Sequence, residues 1–140
     1  MRDTGARSGC PIGCALDLVG DRWTLLLMRD LLLGGRRRFG DLGRHEGIAT
    51  NVLAERLRRL EAAGLVRKSR DPDDGRRTVY TPTERGADLI PAILELGLWG
   101  ALHTDQGSDH RALFEAYRSD RAAVVARLRA RALAHEALDA

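Results

Sequence analysis

The sequence predicts a mainly α-helical fold carrying one small β-hairpin. Two observations lead there. Over residues 38–86 a short helix, a tight turn, an arginine-rich amphipathic helix and a hairpin with a basic tip follow one another. On either side lie apolar stretches with helical spacing, at residues 23–33 and 84–103.

Residues 1–9 are expected to form a flexible N-terminus. Pro11 suits the first position of a helix running to about Val19, because its missing N–H is not needed there. Gly20 and Asp21 break that helix. Residues 23–33 form the next, apolar on most sides through Leu26, Met28, Leu31 and Leu32. Such a helix belongs in the centre of the fold and against a partner subunit. Trp23 reads as a core or interface anchor.

A short helix is predicted over residues 39–45, turned through Glu46, Gly47 and Ile48. Gly47 permits the sharp reversal and Ile48 plugs the space between the helices. In the helix that follows, Leu53, Leu57 and Leu60 recur at spacings of four and three and line one stripe. Asn51, Glu55, Arg58 and Ala62 fall opposite, with Arg56 and Arg59 towards one flank and Glu61 on the other. Thr50 is its N-cap or first-turn residue, and Gly64 takes the left-handed C′ position at its end.

An outward amide and guanidinium suit base edges, since Asn pairs bidentately with adenine and Arg with guanine. Thr50, Asn51, Glu55, Arg58 and Arg59 are therefore candidate DNA contacts. Alone, Glu55, Arg56, Arg58 and Arg59 would read as an ordinary solvated face, as such residues do in most proteins. Their place after a helix and a glycine turn changes the balance.

Residues 65–70 and 76–81 predict two strands around the turn Asp71-Pro72-Asp73-Asp74-Gly75. Arg70, Arg76 and Arg77 cluster at its tip as candidate phosphate contacts. Asp71, Asp73 and Asp74 are expected to build the turn by accepting backbone N–H groups. They do not read as a calcium loop, because no bidentate Glu follows at the required spacing. Helix, turn, helix and hairpin together predict a winged helix-turn-helix with flanking dimerisation helices. In that device one helix enters the major groove and the wing holds the flanking backbone.

Thr83 is the natural cap of the next helix, with Glu84 favourable in its first turn. That helix runs to about His103, with a kink or short break around Ile90 imposed by Pro91. Leu89, Ile93, Leu96 and Trp99 mark its stripe, with Leu98 and Leu102 nearby, expected to pack against an opposite subunit. Residues 104–109 read as a linker ending in Ser108 or Asp109 as N-cap. One further helix then follows through Leu138, burying Leu113, Tyr117, Val124, Leu128 and Ala132. Its arginines, Arg118, Arg121, Arg127, Arg129 and Arg131, read as a solvated face. The domain expectation is thus 10–103 for the winged domain and 104–140 for the linker and additional C-terminal helix.

Whole-chain quantities agree. The 140 residues form one domain with a net charge of +3 and a pI near 9.4. Lys68 is the only lysine, so arginine placement says more than the charge total. Nothing resembles a secretory signal and the longest apolar run is too short to span a bilayer, so a cytoplasmic location without membrane contact is expected. His45, His103, His110 and His135 show no ligand spacing with the cysteines, so neither a metal site nor a cofactor is expected.

Several separated motifs resemble the HxlR-type winged helix-turn-helix regulators: CPIGCALDLVGDRWTLLLMRDLLLG, RRFGDL, GIATNVLAERLRRLEAAGLVRK, Tyr80 with TPTERG, and Leu98-Trp99-Gly100. They keep the family's order and approximate spacing over residues 10–100. The resemblance implies a homodimer built from the N-terminal region and the helix after the wing, hence Trp23, Leu96 and Trp99 at its interface. It also implies binding near promoters, a recognition helix at residues 50–63 and a wing at 67–81. Two departures stand out. The wing sequence DPDDGRR looks more like that of MarR-type regulators. Ala49 stands where a serine is common, a change worth about 1 kcal/mol of capping, with Thr50 expected to start the helix one residue later.

Cys10 matches the family's N-terminal cysteine, which in some members resembles a thiol switch. The start of a helix favours the thiolate, and Arg7 would add to the effect. The other reading of Cys10 is a small apolar interface residue. Cys14 lies one helical turn on, where Cβ atoms sit about 6 Å apart. A disulfide wants about 3.8 Å, so bridging the two requires unwinding, and a Cys10 bond between subunits is geometrically easier.

The expectation is a non-enzymatic, sequence-specific transcriptional regulator, a repressor, binding double-stranded DNA as a homodimer and answering to oxidants or a small-molecule effector. Two alternatives stay open. One is a winged helix that binds protein instead of DNA. The other is a thiol-dependent enzyme, which would need a base beside Cys10.

Overall fold

A computed structural model describes residues 9–138, with side chains to residue 134; most of the expected flexible N-terminus, including Arg7, and the side chain of His135 lie outside the described residues. Helices α1 (Pro11–Val19) and α2 (Arg22–Leu32) precede α3 (Thr50–Ala62). Strands β1 (Val66–Arg70) and β2 (Thr78–Pro82) follow, then α4 (Glu84–Ala87), α5 (Ile90–His103), α6 (Arg111–Ser119) and α7 (Arg121–Leu138). The predicted class, mainly α with one hairpin, is the observed one.

Helix α2 lies at the centre. Its Leu27, Met28, Leu31 and Leu32 are buried with Leu53, Leu57 and Leu60 of α3, Tyr80 of β2, Ile90 and Leu94 of α5, and Val124 and Leu128 of α7. Asp21 caps it by accepting the backbone N–H groups of Trp23 and Thr24 at 3.2 and 3.3 Å. At its other end the guanidinium of Arg37 donates to Leu31 O at 2.6 Å, and Arg131 of α7 donates to Leu32 O at 3.4 Å and to Leu33 O. Cations there satisfy orphan carbonyls and oppose the negative end of the helix dipole. Burial, with Arg131 nearby, depresses the Arg37 guanidinium to about 10.

The hairpin is antiparallel, in register from Val66 opposite Pro82 to Arg70 opposite Thr78. Arg38 forms an isolated bridge to Val79, and Tyr80 N donates to Arg37 O at 2.8 Å, so the 37–38 segment lies alongside β2. Gly64, at φ 76°, ends α3 as predicted. Leu65 N bonds Leu60 O and Gly64 N bonds Glu61 O, the paired closure of a Schellman motif.

Three expectations need correction. Residues 39–45 are not one helix but fall within two 3₁₀ turns, Phe39–Asp41 and Arg44–Glu46. Gly43 separates them at φ 68°, and a Cβ there would run into Ile48 and meet Leu27. The tail is two helices rather than one. Asp120 divides it and caps α7 by accepting Ala123 N at 3.1 Å. His110, in the left-handed region, precedes α6 with no side-chain cap, in place of Ser108 or Asp109. The apolar stripe of the helix after the wing also divides. Ile90, Ile93, Leu94 and Leu98 are buried within the chain, whereas Leu96, Trp99 and Leu102 face outward.

The breaks expected around Ile90 and after Val19 are present. Tyr117, Val124, Leu128 and Ala132 are buried as predicted, and Leu113 is half-buried. Helix α7 packs on α2, β2, α4 and α5, so the tail is part of the core.

Candidate nucleic-acid interface

Helix α3 is docked by its leucine stripe, which fixes what it presents outward. Thr50, Asn51, Arg58, Arg59 and Ala62 are exposed. Asn51 and Arg58 are seven residues apart, about 10 Å along the axis at 1.5 Å per residue. That spans about three base pairs at 3.4 Å each. Neither Arg58 nor Arg59 has an ion-pair partner among the described residues. The other two charged residues of this stretch are committed. Arg56 Nε donates to Asp21 at 2.8 Å, tying α3 to the cap of α2, and its guanidinium also engages Glu55. The structure thus places Glu55 in a half-buried pair rather than on the open face with Asn51 and Arg58.

Ala49 occupies the N-cap of α3 and makes no side-chain cap bond, while Thr50 begins the helix proper. Thr50 is therefore a first-turn residue, and the missing cap is not replaced by shifting the start. Other contacts hold the turn. Gly47 has φ 67° as the reversal requires. Arg29 Nη1 donates to Glu46 at 2.8 Å, and Asp30 accepts Gly43 N at 2.8 Å. The Arg29 bond, ahead of the neighbouring positive charges, holds the Glu46 carboxyl below its ordinary range.

The aspartates of the wing do build the turn. Asp71 accepts Asp73 N at 2.9 Å, and Asp74 accepts Arg76 N at 3.1 Å. Asp71 is buried and also accepts Arg38 Nε at 2.7 Å. The Asp73 N–H first, then the Arg38 charge, lower its pKa. Arg70 is exposed, whereas Arg76 and Arg77 each lie 3.4 Å from Asp74 and keep side chains 93 and 56% exposed. All three candidate phosphate contacts thus face solvent around the hairpin end.

Sequence reasoning missed Arg38, and gave Arg56 and Asp71 narrower roles than they hold. The basic run at Arg36, Arg37 and Arg38 was a signal, but charge runs do not disclose their partners.

Cys10 is exposed at the N-cap of α1, and the N–H groups of Gly13 and then Ile12 lower its thiol pKa. Cys14 is exposed one unbroken turn later, with Cys14 N bonded to Cys10 O. Leu96 and Trp99 are 56 and 60% exposed, joined by Ile12, Leu16, Leu18 and Leu102; Trp23 is half-buried. A cavity of about 330 Å³ lies between α2, α5 and α6, walled by Leu25, Leu33, Ile93, Leu96 and Phe114. No helix among the described residues is long and apolar enough to cross a membrane.

Comparison with known proteins agrees with this geometry. The family model described as HxlR-like helix-turn-helix matches residues 18–108. The uncharacterized HTH-type transcriptional regulator Rv3095 of Mycobacterium tuberculosis is 46% identical over 92 residues, which are 66% of this chain and 58% of that protein. The chain therefore spans less than two thirds of that relative's length. Among solved structures, that of PA1607 superposes with a TM-score of 0.65 at 31% identity, covering 74% of this chain and 71% of the other. The redox regulator HypR in its oxidized form gives 0.60 at 32%, covering 69 and 99%.

Proposed function

The chain belongs to the HxlR-like helix-turn-helix family, and from that premise we propose that it is a transcriptional repressor binding a pseudo-palindromic operator as a homodimer. The observation that carries this reading is the outward face of α3. Asn51 and Arg58 are exposed there, while Arg56 on the same helix is spent on Asp21. Two such helices on a two-fold axis would read half-sites about 34 Å apart or at a multiple of that distance. The exposed apolar side chains Leu96, Trp99 and Leu102 of α5, with Ile12 and Leu16 of α1, support dimerisation, because large apolar side chains grouped at a helix surface suit an interface. An apolar effector has room in the cavity under α6.

The test is selection of sheared DNA from the source genome by the reduced protein, followed by sequencing. Enrichment of one or a few intergenic pseudo-palindromes supports the reading. Recovery without sequence preference would overturn it in favour of nonspecific or protein binding. On the enriched duplex, Arg58→Ala is expected to cost about 1–3 kcal/mol and relax base preference, whereas Arg77→Ala weakens binding to all sequences and flattens the salt slope. Equal losses for Arg58→Ala on operator and random duplexes would demote it to a phosphate contact.

The exposed Cys10 with its lowered thiol pKa supports oxidant control, and the likeness to HypR points the same way. Diamide is expected to release wild-type protein from the duplex and to leave Cys10→Ser bound. Equal release of both would assign the response elsewhere.

A further inference from the structure

We propose that the cleft between the Phe39–Asp41 turn and the wing seats one phosphate of the DNA backbone, with Arg38 making the contact and Asp71 positioning it. This rests on the DNA-binding reading and extends it to a site outside the recognition helix and the wing tip. The cleft measures about 380 Å³. Its walls carry Arg38, Arg76 and Arg77 with one carboxylate of their own, Asp41, while Asp74 pairs Arg76 and Arg77 from outside the lining, each at 3.4 Å. Nothing lies within 4 Å of where a Gly40 Cβ would stand, so the cleft is open at that residue.

Arg38 is built into place. Its backbone bridges Val79, and its Nε donates to Asp71 at 2.7 Å. Asp71 is itself held, accepting Asp73 N at 2.9 Å while its own N–H donates to Arg77 O at 2.9 Å. A carboxylate that takes Nε leaves the two Nη atoms of the fork for a second acceptor. The Arg38 side chain has no second partner among the described residues, and it is 41% exposed against 4% for Asp71. A guanidinium with both Nη groups unengaged can take a phosphate bidentately. Because the cleft joins the first turn of the helix-turn-helix to the hairpin, a phosphate seated there would set the wing in register with α3.

Charge counting and positioning make opposite predictions for Asp71. Removing a carboxylate near DNA should tighten binding if charge alone matters. The seat requires that Asp71→Asn weaken it, because a neutral amide oxygen holds the Arg38 guanidinium less firmly than a carboxylate does.

The test uses the full chain and the enriched duplex, with binding measured against salt and with single phosphates replaced by neutral methylphosphonates. Arg38→Gln is expected to lower affinity equally on operator and random duplexes and to reduce the salt slope by about 0.9 for each phosphate no longer neutralised. It should also abolish the response to one symmetric pair of methylphosphonates that wild type feels. Arg38→Lys keeps the charge but not the fork, so it should recover part of the slope without restoring wild-type affinity. An unchanged slope and an unchanged methylphosphonate profile in Arg38→Gln, with base preference intact, would overturn the seat and leave the regulator reading standing. Tighter binding by Asp71→Asn would overturn the positioning role. Absence of any DNA binding by wild type would remove the regulator reading and the seat together.

Discussion

Leu57→Ala is expected to destabilise the protein by about 2–5 kcal/mol, the range for emptying a close-packed site of a buried leucine. Leu57 is 0% exposed, in the middle of α3, in one cluster with Leu27, Met28 and Leu31 of α2. The cost has two parts: the transfer free energy of the missing carbons, and the dispersion attraction their neighbours forfeit around the void. It should appear as a lower urea midpoint with an unchanged slope. The next residue supplies the control. Arg58 is exposed and without an ion pair among the described residues, so its truncation should leave the midpoint within about 0.5 kcal/mol of wild type. A destabilisation below about 1 kcal/mol in Leu57→Ala would mean that α3 is not docked on α2 through this face.

Gly86→Ala is expected to run against the helical propensity scale. In an open helix the change from glycine to alanine stabilises by about 0.5–1 kcal/mol. At Gly86 the added Cβ would stand under 3.0 Å from the backbone oxygen of Leu65. That oxygen cannot easily withdraw, because it accepts Thr83 N at 3.1 Å, and Thr83 in turn donates its hydroxyl to Gly64 O at 2.6 Å. Three elements meet there: the end of α3, the start of β1 and the cap of α4. Forcing them apart should cost about 1–3 kcal/mol, the usual range for overpacking. A depressed melting temperature checks this, and a raised one would refute the close approach.

These two positions also mark how far the sequence could be read. Leu57 belongs to a stripe whose period was visible, and its burial followed. Gly86 sat in a recognisable TPTERG motif, yet the need for glycine there comes from a carbonyl 21 residues earlier. The same division runs through the interface. The outward face of α3, the turn at Gly47, the Gly64 stop and the turn-building aspartates could each be read locally. The single helix expected at residues 39–45 could not survive Gly43, which sits at φ 68° where an added Cβ would run into Ile48 and meet Leu27 of α2. The apolar period of the tail carries on past Ser119-Asp120, which is why the sequence predicts one helix there. Asp120 nonetheless caps a new helix.

By itself, then, the sequence determined the class of fold, the helix with the outward face proposed for DNA and the basic hairpin that follows it. Those depend on period, caps and turn chemistry, which act over a few residues. The tertiary structure alone decided which polar groups are free to act. Arg56 and Arg58 are chemically identical and two positions apart, yet one is held by Asp21 and the other faces solvent. Arg38 is turned towards the wing by Asp71, 33 residues away. Partner choice of that kind depends on distances between elements, and no local pattern encodes a distance across the fold.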